Sequence, residues 1–401
     1  MSRERRGVIF GAGNVGRGFL GQLLSESGYR VLFVDVYEPL VRALAERGSY
    51  TLQLVTDSKV EELEISGVSA VSSFDREAVA QAVAECDLAA TAVGVGALPK
   101  LAPTVAAGLE QRRLAGRGPL NLIICENLRN APDLFAEMLR PHLSKEGRAF
   151  LQEQVGLVDA VIGRMVPLIP KEISEQDLSL IMAEPYKVLP VNRDRFRGEI
   201  PDVVGMEARD NFAAYVDQKL FTHNAGHAMI AYLGYLNGYE YGYQALNDPL
   251  VRGLTEQAME ESSDALVRRH GINPAEQYAH VQDLLVRFRN HRLGDTIFRL
   301  GRDPIRKLGP EDRLAGAARL VVETGGRPTA LAWGIAAGLL FDPAEDESAR
   351  RLQSLLRERP IEVVLQQVSG IEPGSQLSDM VIQSYRSLSA GNWPETTGGT
   401  D

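Results

Sequence analysis

The sequence has few cysteines, and this scarcity bears on where the protein works. Its 401 residues include two cysteines, Cys86 and Cys125. Two cysteines cannot form the disulfide framework that stabilises many secreted proteins, so we expect a reduced, cytoplasmic setting. The amino terminus, MSRERRGVIFGAG, also lacks the apolar segment and the small-residue cleavage site that mark a signal peptide.

Long apolar runs and an excess of positive charge are absent too. No uninterrupted apolar run approaches the ~20 residues that a membrane-spanning helix needs. The formal net charge is −10, from 43 Lys and Arg against 53 Asp and Glu, whereas a dedicated nucleic-acid binder needs clustered cations. We therefore expect no nucleic-acid or membrane partner. We also expect a small-molecule substrate and a monomer or weak homo-oligomer.

Short apolar runs alternate with helical patterns in the first half of the chain. A length of 401 residues favours two or three domains. A helix is predicted over residues 14–28, where apolar residues have helical spacing and a glycine follows. The strand candidates are residues 7–13, 30–36, 50–55, 87–94, 120–127 and 178–185. Buried strands separated by helices predict a mainly parallel sheet with helices on both faces.

The pattern changes in the second half, where most segments from residue 211 onward have helical spacing and strand signals are scarce. We predict an α/β N-terminal domain with a mainly parallel sheet over residues 1–195. A mainly α-helical C-terminal domain follows over residues 196–388. Residues 389–401 are rich in small and polar side chains and are predicted to be a flexible tail.

A glycine-rich segment, GAGNVG, connects the first predicted strand to the first predicted helix. In a dinucleotide-binding loop the first glycine permits the turn, the second admits the pyrophosphate, and the third lets helix and strand pack closely. The start of the helix also offers N–H groups to the phosphates. We predict a Rossmann-type cofactor site formed by Gly11, Gly13, Asn14, Val15 and Gly16. The alternative is a tight turn that binds nothing.

An acidic residue, Asp35, lies near the end of the second predicted strand. A carboxylate in this position accepts hydrogen bonds from a ribose 2′-hydroxyl and repels a 2′-phosphate. The next residues, Val36 and Tyr37, include no arginine that would bind such a phosphate. The sequence therefore predicts NAD rather than NADP. The plainer alternative is that Asp35 only caps a helix.

Polar residues interrupt an apolar helical pattern in the segment KLFTHNAGHA, residues 219–228. His223 and His227 have the four-residue spacing of two metal ligands on one helical face. A lysine such as Lys219 becomes a base when burial lowers its pKa, and Asn224 and His227 share a face that could bind a substrate oxygen. No H-E-x-x-H motif supports zinc. A polar helix with satisfied histidines remains the third alternative.

Gly226 lies in the middle of this predicted helix. A glycine there costs about 1 kcal/mol relative to alanine. Its presence therefore predicts the close approach of another backbone or a ligand.

Four segments together resemble the polyol-specific long-chain dehydrogenase/reductase family. They are GAGNVGRGFLG, CEN, KLFTHNAGHA and RDPIRKL, at residues 11–21, 125–127, 219–228 and 302–308. They occur in the order typical of the family, and the similarity extends to about residue 385. The resemblance implies an NAD-dependent, metal-independent enzyme with a Rossmann-type domain and a mostly helical second domain.

The resemblance also implies a role for each matching residue. The family's motif lysine falls on Lys219, which would be the general base. The motif asparagines fall on Asn127 and Asn224, which would hold the developing oxyanion. The motif histidine falls on His227, which would orient the substrate. The position of His223 is commonly apolar in the family, so the histidine pair is expected to be incidental.

Within the family, the chain most resembles the enzymes that act on a hexitol phosphate. A phosphate dianion needs local cations, and Arg306 and Lys307 are the candidates, although adjacent cations are equally typical of a solvated surface. Arg306 is the more discriminating, because the lysine is shared with relatives that use unphosphorylated sugars. Gly163 replaces the family's acid before Arg164 and leaves the substrate range open.

The resemblance thus implies oxidation of a sugar alcohol phosphate, mannitol 1-phosphate, to fructose 6-phosphate. Hydride would pass to the nicotinamide while Lys219 takes the hydroxyl proton. The alternatives are a dehydrogenase of an unphosphorylated polyol or hexuronate, a zinc enzyme, and a catalytically silent NAD-binding sensor.

Overall fold

Two compact units make up the chain in a computed structural model that describes residues 4–167, 169 and 171–394. By their contacts the units are Met1–Phe212 and Ala213–Asp401. Among the described residues, no helix is both long enough and apolar enough to cross a membrane.

The first unit alternates strands and helices. Its strands are β1 (Arg5–Phe10), β2 (Tyr29–Asp35), β3 (Ser49–Val55), β4 (Val60–Ser66), β5 (Val68–Ser72), β6 (Leu88–Thr91), β7 (Leu120–Ile124), β8 (Val155–Asp159), β9 (Ile181–Ala183), β10 (Leu189–Asn192) and β11 (Met206–Arg209). Its helices are α1 (Gln22–Glu26), α2 (Glu38–Arg47), α3 (Arg76–Glu85), α4 (Leu98–Leu114), α5 (Ala131–Leu139), α6 (Lys145–Gln154) and α7 (Lys171–Gln176), with a π-helical segment at Gly16–Gly21 and 3-10 turns at Val95–Ala97, Arg140–His142 and Arg193–Arg195.

The main sheet has the strand order β5-β2-β1-β6-β7-β8, and every neighbouring pair in it is parallel. Numbered by appearance within this sheet, the order is 3-2-1-4-5-6, which is that of a Rossmann fold. Along β1, Ile9 packs into the core on one face, whereas Val8 and Phe10 pack into the core on the other. The sheet is therefore buried on both faces, as the continuous apolar runs predicted.

Two predicted strands, residues 50–55 and 178–185, exist as β3 and β9 but lie outside the main sheet. They form a separate sheet of order β4-β3-β9, in which β3 is antiparallel to β4. Residues 60–66, VEELEIS, alternate acids with apolar residues, so the strand they form is largely exposed and lacks the apolar run of a buried strand. The predictions also omitted β5, β8, β10 and β11. The predicted fold class, an α/β domain followed by a helical one, is confirmed.

The first unit continues beyond the predicted boundary at residue 195. β10 pairs with β11 in parallel, so residues as far as Arg209 belong to this unit. The side chain of Asn121, in β7, accepts a 2.8 Å hydrogen bond from the Arg197 amide and donates one to the Arg197 carbonyl. Backbone pairing of this kind is invisible to a boundary drawn from composition.

Helices make up most of the second unit. They are α8 (Phe212–Gln218), α9 (Asn224–Leu236), α10 (Gly242–Asn247), α11 (Pro249–His270), α12 (Pro274–Phe288), α13 (Ile297–Gly301), α14 (Pro304–Lys307), α15 (Ala315–Glu323), α16 (Thr329–Leu339), α17 (Glu347–Glu358), α18 (Ile361–Ser369) and α19 (Gln376–Ser389), with a π-helical turn at Lys219–His223 and a 3-10 turn at His291–Leu293. The predicted flexible tail begins at the last residue of α19, and residues 395–401 lie outside the described residues.

Helix α9 is the core of the second unit. Its residues from Ala228 to Leu233 are each at most 1% exposed, and α10, α11, α13 and α16 pack around it. A helix that is apolar on all sides is stable only when other helices surround it. Its neighbours begin with sequence-encoded caps, since the side chains of Asp248 and Asn273 accept amide hydrogen bonds at the starts of α11 and α12.

Arg112 provides a test of how the first unit is held together. Its buried guanidinium donates to the carbonyl oxygens of Ala84, Cys86, Gly118 and Pro119 at 2.8–3.1 Å. Arg112→Met should lower the free energy of unfolding by about 2–4 kcal/mol, because the carbonyls of the buried residues Ala84 and Cys86 lose their donors, whereas Gly118 and Pro119 are exposed. Urea denaturation followed by circular dichroism measures this change.

The neighbouring Arg113 is the matched control, since its guanidinium makes a partly exposed ion pair with Glu110 at 2.9 Å. Arg113→Met should cost about 0–1 kcal/mol. Equal losses in the two variants would contradict the role given to Arg112.

Candidate active site

The glycine loop after β1 has the geometry of a dinucleotide cradle. Gly11 has φ +95°, and its amide donates to the Val34 carbonyl at 2.8 Å. A Cβ on Gly16 would lie 1.9 Å from the Gly11 carbonyl oxygen, so neither position accepts a side chain. A Cβ on Gly13 would meet no atom within 4 Å, which leaves the loop backbone open to a ligand. Asn14 opens the helix that follows.

Asp35 ends β2 beside this loop. One carboxylate oxygen accepts a 2.6 Å hydrogen bond from the Ala12 amide, and the other accepts a 2.9 Å bond from the Tyr37 amide. Each oxygen has lone pairs left for a further donor, such as a ribose hydroxyl. The helix-cap alternative is not what the structure shows, because no side chain caps α2. The loop and Asp35 thus fit NAD.

The CEN segment follows β7 at the carboxyl edge of the main sheet. Glu126 is buried, and its carboxylate accepts hydrogen bonds from the amides of Val93 and Gly94 at 3.1 and 2.9 Å. Asn127 is exposed, and its side-chain amide makes no hydrogen bond to the described part of the chain. Glu126 therefore ties the loop after β6 to the residue that presents Asn127, a role that the sequence did not reveal.

The predicted departure at Gly163 also lies in the first unit. A Cβ at this position would be 3.3 Å from the ring of Tyr186. The next residue, Arg164, is buried and donates to the Glu184 carbonyl and to the Gln22 side chain, both at 2.7 Å. A tyrosine ring therefore lies beside the place where the resemblance led us to expect an acid.

In the second unit, KLFTHNAGHA forms a π-helical turn, Lys219–His223, followed by the start of α9. The Asn224 amide donates to the Lys219 carbonyl, five residues back. In an α-helix, five residues rotate about 140° past a full turn, so Lys219 and Asn224 would point apart. Each residue of a π-turn rotates less than one of an α-helix, so residue 224 falls only a little past one full turn from residue 219, and both side chains lie on one face.

The pattern of burial along this segment also places Lys219 and Asn224 on one face. Lys219, Asn224 and His227 are partly exposed, whereas Ala225, Gly226 and Ala228 are buried. His227 lies three residues beyond Asn224 in regular α-helix, and so continues the face. The structure therefore brings together three of the predicted catalytic residues. Asn127 belongs to the first unit.

Lys219 has the electrostatic surroundings of a base. Burial, helped by the positive charge of Arg313, lowers the pKa of its amine to about 8. The Arg313 guanidinium is buried and donates to the Asp312 carboxylate at 2.7 Å. At pH 7 roughly one Lys219 in ten is neutral, against roughly one in 2,500 for an ordinary lysine. Nothing in the sequence near Lys219 pointed to Arg313, which is distant along the chain.

The two histidines are packed as neutral rings. His223 and His227 make an edge-to-face contact at 4.9 Å, and the ring of Phe288 lies 5.4 and 4.1 Å from them. Burial and neighbouring positive charges hold the pKa of each well below its usual value. His223 is buried, whereas His227 is partly exposed on the same face as Lys219 and Asn224. Within residues 4–167, 169 and 171–394, no group of three or more potential metal ligands surrounds them.

The structure explains the need for a glycine at position 226 differently from the prediction. A Cβ there would lie 2.8 Å from the sulfur of Met259 and 3.0 Å from the ring of Phe288. The close approach comes from side chains of α11 and α12, not from a backbone or a ligand. The prediction was wrong on this point, because only packing between helices decides what faces a glycine.

The predicted phosphate ligands both have partners. Arg306 is exposed and pairs with Asp303 at 2.6 Å and with Asp312 at 3.7 Å. Lys307 is buried and donates to the Leu300 carbonyl. Burial, helped by the charges of Arg313, Arg306 and Arg302, lowers the pKa of Lys307 to about 7.

Comparison with known families gives two matches that together span most of the chain. Residues 5–204 match the model described as mannitol dehydrogenase Rossmann domain. Residues 211–389 match the mannitol dehydrogenase C-terminal domain.

Two curated relatives are similar over nearly their whole length. The chain is 39% identical to a mannitol-1-phosphate 5-dehydrogenase of Geobacillus thermodenitrificans, over 96% of this chain and 99% of the relative. It is also 39% identical to a mannitol-1-phosphate 5-dehydrogenase of Brevibacillus brevis, over 95% of this chain and 97% of the relative.

Solved structures share the fold at low sequence identity. The Pseudomonas fluorescens mannitol 2-dehydrogenase, in a ternary complex with NAD and D-mannitol, superposes with a TM-score of 0.76 at 18% identity, covering 97% of this chain and 93% of that one. A substrate-free D-sorbitol dehydrogenase superposes with a TM-score of 0.80 at 17% identity, covering 97% and 94%.

Asp35 gives the test of cofactor preference. Asp35→Ala should raise KM for NAD about 10- to 100-fold, because the ribose loses a charged acceptor and the loop loses its tie to Ala12. Discrimination against NADP should fall at the same time, since no carboxylate repels the 2′-phosphate. Initial rates with both cofactors measure the two effects.

Asp57, an exposed residue of the β3–β4 turn, supplies the matched control. Asp57→Ala should leave both KM values unchanged. An Asp35→Ala enzyme that still rejects NADP as strongly as the wild type would show that other groups set the preference.

Proposed function

Because this chain belongs to the mannitol dehydrogenase family, we propose that it is an NAD-dependent enzyme that oxidises mannitol 1-phosphate to fructose 6-phosphate. The names of its 39% identical relatives support this substrate. The observation that carries the chemistry is the shared face of Lys219, Asn224 and His227 on the π-turn and the start of α9. NAD, when bound, accepts the hydride from the carbinol carbon of the substrate.

Lys219 takes the proton of the hydroxyl that is oxidised. A base is needed because the oxygen becomes acidic as hydride leaves its carbon, and a neutral amine with a pKa near 8 can accept the proton at physiological pH. In the reducing direction the protonated amine returns it. No metal is required for this step, and metal independence stays a prediction that a chelator tests.

Two amides stabilise the oxygen as its negative charge develops. Asn224 lies one π-turn from Lys219, so its side chain can donate to the same oxygen that the lysine deprotonates. Asn127, in the first unit, has an exposed amide with no hydrogen bond to the described residues, and is the second donor. His227 is neutral, which lets its ring accept or donate one hydrogen bond to a substrate hydroxyl without adding charge.

Several cations lie near His227, and three of them, Arg313, Arg287 and Arg299, are each paired with an aspartate. The cations that act on its ring are Arg313, Lys307, Arg287 and Arg299. Arg306, adjacent to Lys307, is the proposed phosphate ligand, since a guanidinium can bind two phosphate oxygens at once. It would have to exchange its pairing with Asp303 for the phosphate.

An unphosphorylated polyol or hexuronate is the second candidate. The observation that favours it is that Arg306 and Lys307 both have partners already, an aspartate and a main-chain carbonyl. A dehydrogenase of a free polyol would need neither side chain for phosphate.

The first experiment addresses Lys219. Lys219→Ala should lower kcat on the order of 10²- to 10⁴-fold while NAD still binds, because only the proton acceptor is removed. In the wild type, kcat/KM for oxidation should rise with pH through about 8, as the amine loses its proton. The rate of ketose phosphate reduction should fall over the same range, because that direction needs the protonated amine.

Lys59, exposed and paired with Glu61, is the control lysine, and Lys59→Ala should leave both profiles unchanged. Undiminished turnover in Lys219→Ala would refute the base assignment. Binding of NAD without turnover on any polyol, in the wild type, would instead support the sensor alternative.

The second experiment compares mannitol 1-phosphate with free mannitol, each with and without a chelator. We expect a strong preference for the phosphate that the chelator does not change. Arg306→Gln should raise KM for mannitol 1-phosphate about 10- to 100-fold and leave free mannitol unaffected, since a charged hydrogen bond is lost only with the phosphate. Arg357→Gln, at an exposed site on α17, is the control. Equal rates on both polyols would instead indicate a dehydrogenase of unphosphorylated polyols.

A further inference from the structure

Beneath the π-turn lies a buried polar side chain that the reaction itself does not use. Gln277, on α12, is 0% exposed. Its side-chain oxygen accepts a 2.7 Å hydrogen bond from the Gln218 amide group. Its nitrogen donates to the hydroxyl of Thr222 at 3.2 Å and to the hydroxyl of Ser263, on α11, at 2.8 Å. We call these four residues the glutamine clamp.

The clamp holds the chain on both sides of Lys219. Gln218 immediately precedes the lysine, and Thr222 lies three residues after it within the π-turn. Ser263 connects the same amide to a neighbouring helix that contacts the turn. Gln277 thus fixes the first residue before the turn and the fourth residue within it to one rigid point. Lys219 lies in the short segment between these two fixed residues.

The chemistry of the clamp is specific to an amide. A glutamine has one acceptor oxygen and two N–H donors, and the three bonds use the oxygen and both donors. An apolar side chain of similar size would leave the hydroxyls of Thr222 and Ser263 and the partly exposed Gln218 amide without their partner. Thr222 and Ser263 are 0% exposed, so solvent cannot replace the bonds that these two hydroxyls lose.

A π-turn needs support of this kind. It contains one more residue than an α-helical turn, and such insertions are rare in helices and concentrate at functional sites. If the turn relaxed to regular α-helix, Lys219 would rotate away from Asn224 by the angle given above. The free energy that keeps the insertion must therefore come from contacts outside the helix backbone, and the clamp supplies three hydrogen bonds.

From this arrangement we propose that Gln277 is a positioning residue for the reaction, which keeps the π-turn in the register that aligns Lys219 with Asn224. The inference rests on the proposed function, because it gives Gln277 its effect through the Lys219 base. The residue does not touch substrate or cofactor; its influence passes through Gln218 and Thr222.

The test is Gln277→Met, which keeps volume and removes all three hydrogen bonds. The expected result is a kcat lower by about tenfold or more at a temperature where the variant is folded, since small displacements of a catalytic group are costly. KM for NAD should not change, because the glycine loop and Asp35 belong to the first unit. The solvent deuterium isotope effect on kcat should rise, as proton transfer to a misplaced lysine becomes rate-limiting.

Gln282 is the matched control, since it is an exposed glutamine on the same helix that pairs with Glu256. Gln282→Met should leave kcat and the isotope effect at wild-type values. Thr222→Val removes only the bond to the π-turn and should lower kcat in the same direction. Thr222→Ser keeps a hydroxyl and should restore most of it.

Gln277→Glu separates position from charge. The hydroxyls of Thr222 and Ser263 can rotate to donate to a carboxylate, so the clamp is kept. The added negative charge favours protonated Lys219. The other groups near the lysine are the Arg313 cation and the neutral ring of His223. The pH limb for oxidation should therefore move to higher pH, while kcat at the plateau stays within a few-fold of the wild type.

Parallel assays of Lys219→Ala keep this inference apart from the proposed function. The inference alone would be overturned if Lys219→Ala loses turnover while a folded Gln277→Met keeps the wild-type kcat and isotope effect. An active Lys219→Ala would overturn the base assignment on which both depend. If Gln277→Met does not fold, Thr222→Val decides, because a folded Thr222→Val variant with wild-type kcat and isotope effect would reject the positioning role of the clamp.

Discussion

The arrangement of the candidate site depends on one hydrogen bond, from the Asn224 amide to the Lys219 carbonyl five residues back. Helix α9 cannot rotate to suit the chemistry, because four helices pack against it and its residues from Ala228 to Leu233 are buried. Its rotation is therefore decided by packing. The extra residue in the π-turn lets Lys219 join the face of Asn224 and His227 without disturbing that packing.

Burial and fixed positive charge then determine how these residues behave. Burial, and after it the charges of neighbouring cations, lowers the pKa of Lys219 and of the two histidines, so each is pushed toward its neutral form. A neutral lysine accepts a proton, and a neutral histidine can orient a hydroxyl. Three of the cations near His227, Arg313, Arg287 and Arg299, are each paired with an aspartate.

The first unit shows a similar use of close contact. The Gly11 carbonyl leaves no space for a side chain on Gly16, and the Ala92 carbonyl leaves none on Gly11, while a Cβ on Gly13 would meet no atom within 4 Å. Asp35 and Glu126 use their carboxylates to hold the loops that follow β1 and β6. Acids bonded to main-chain amides therefore hold the loops at the carboxyl edge of the main sheet.

Sequence alone determined the local features: the apolar strands β1, β2, β6 and β7, the glycine loop, Asp35, and the motif residues that resemble the family. These depend on patterns within a few residues, or on motifs in a fixed order. It did not place β3 and β9 in a second sheet, since a strand's partner depends on residues far along the chain. Nor did it reveal the π-turn, Arg313, the Gln277 clamp or the reason for Gly226, because helix packing brings those groups together only in the folded chain. Tertiary structure decided which side chains face one another, and with that the pKa of Lys219 and the register in which it is presented.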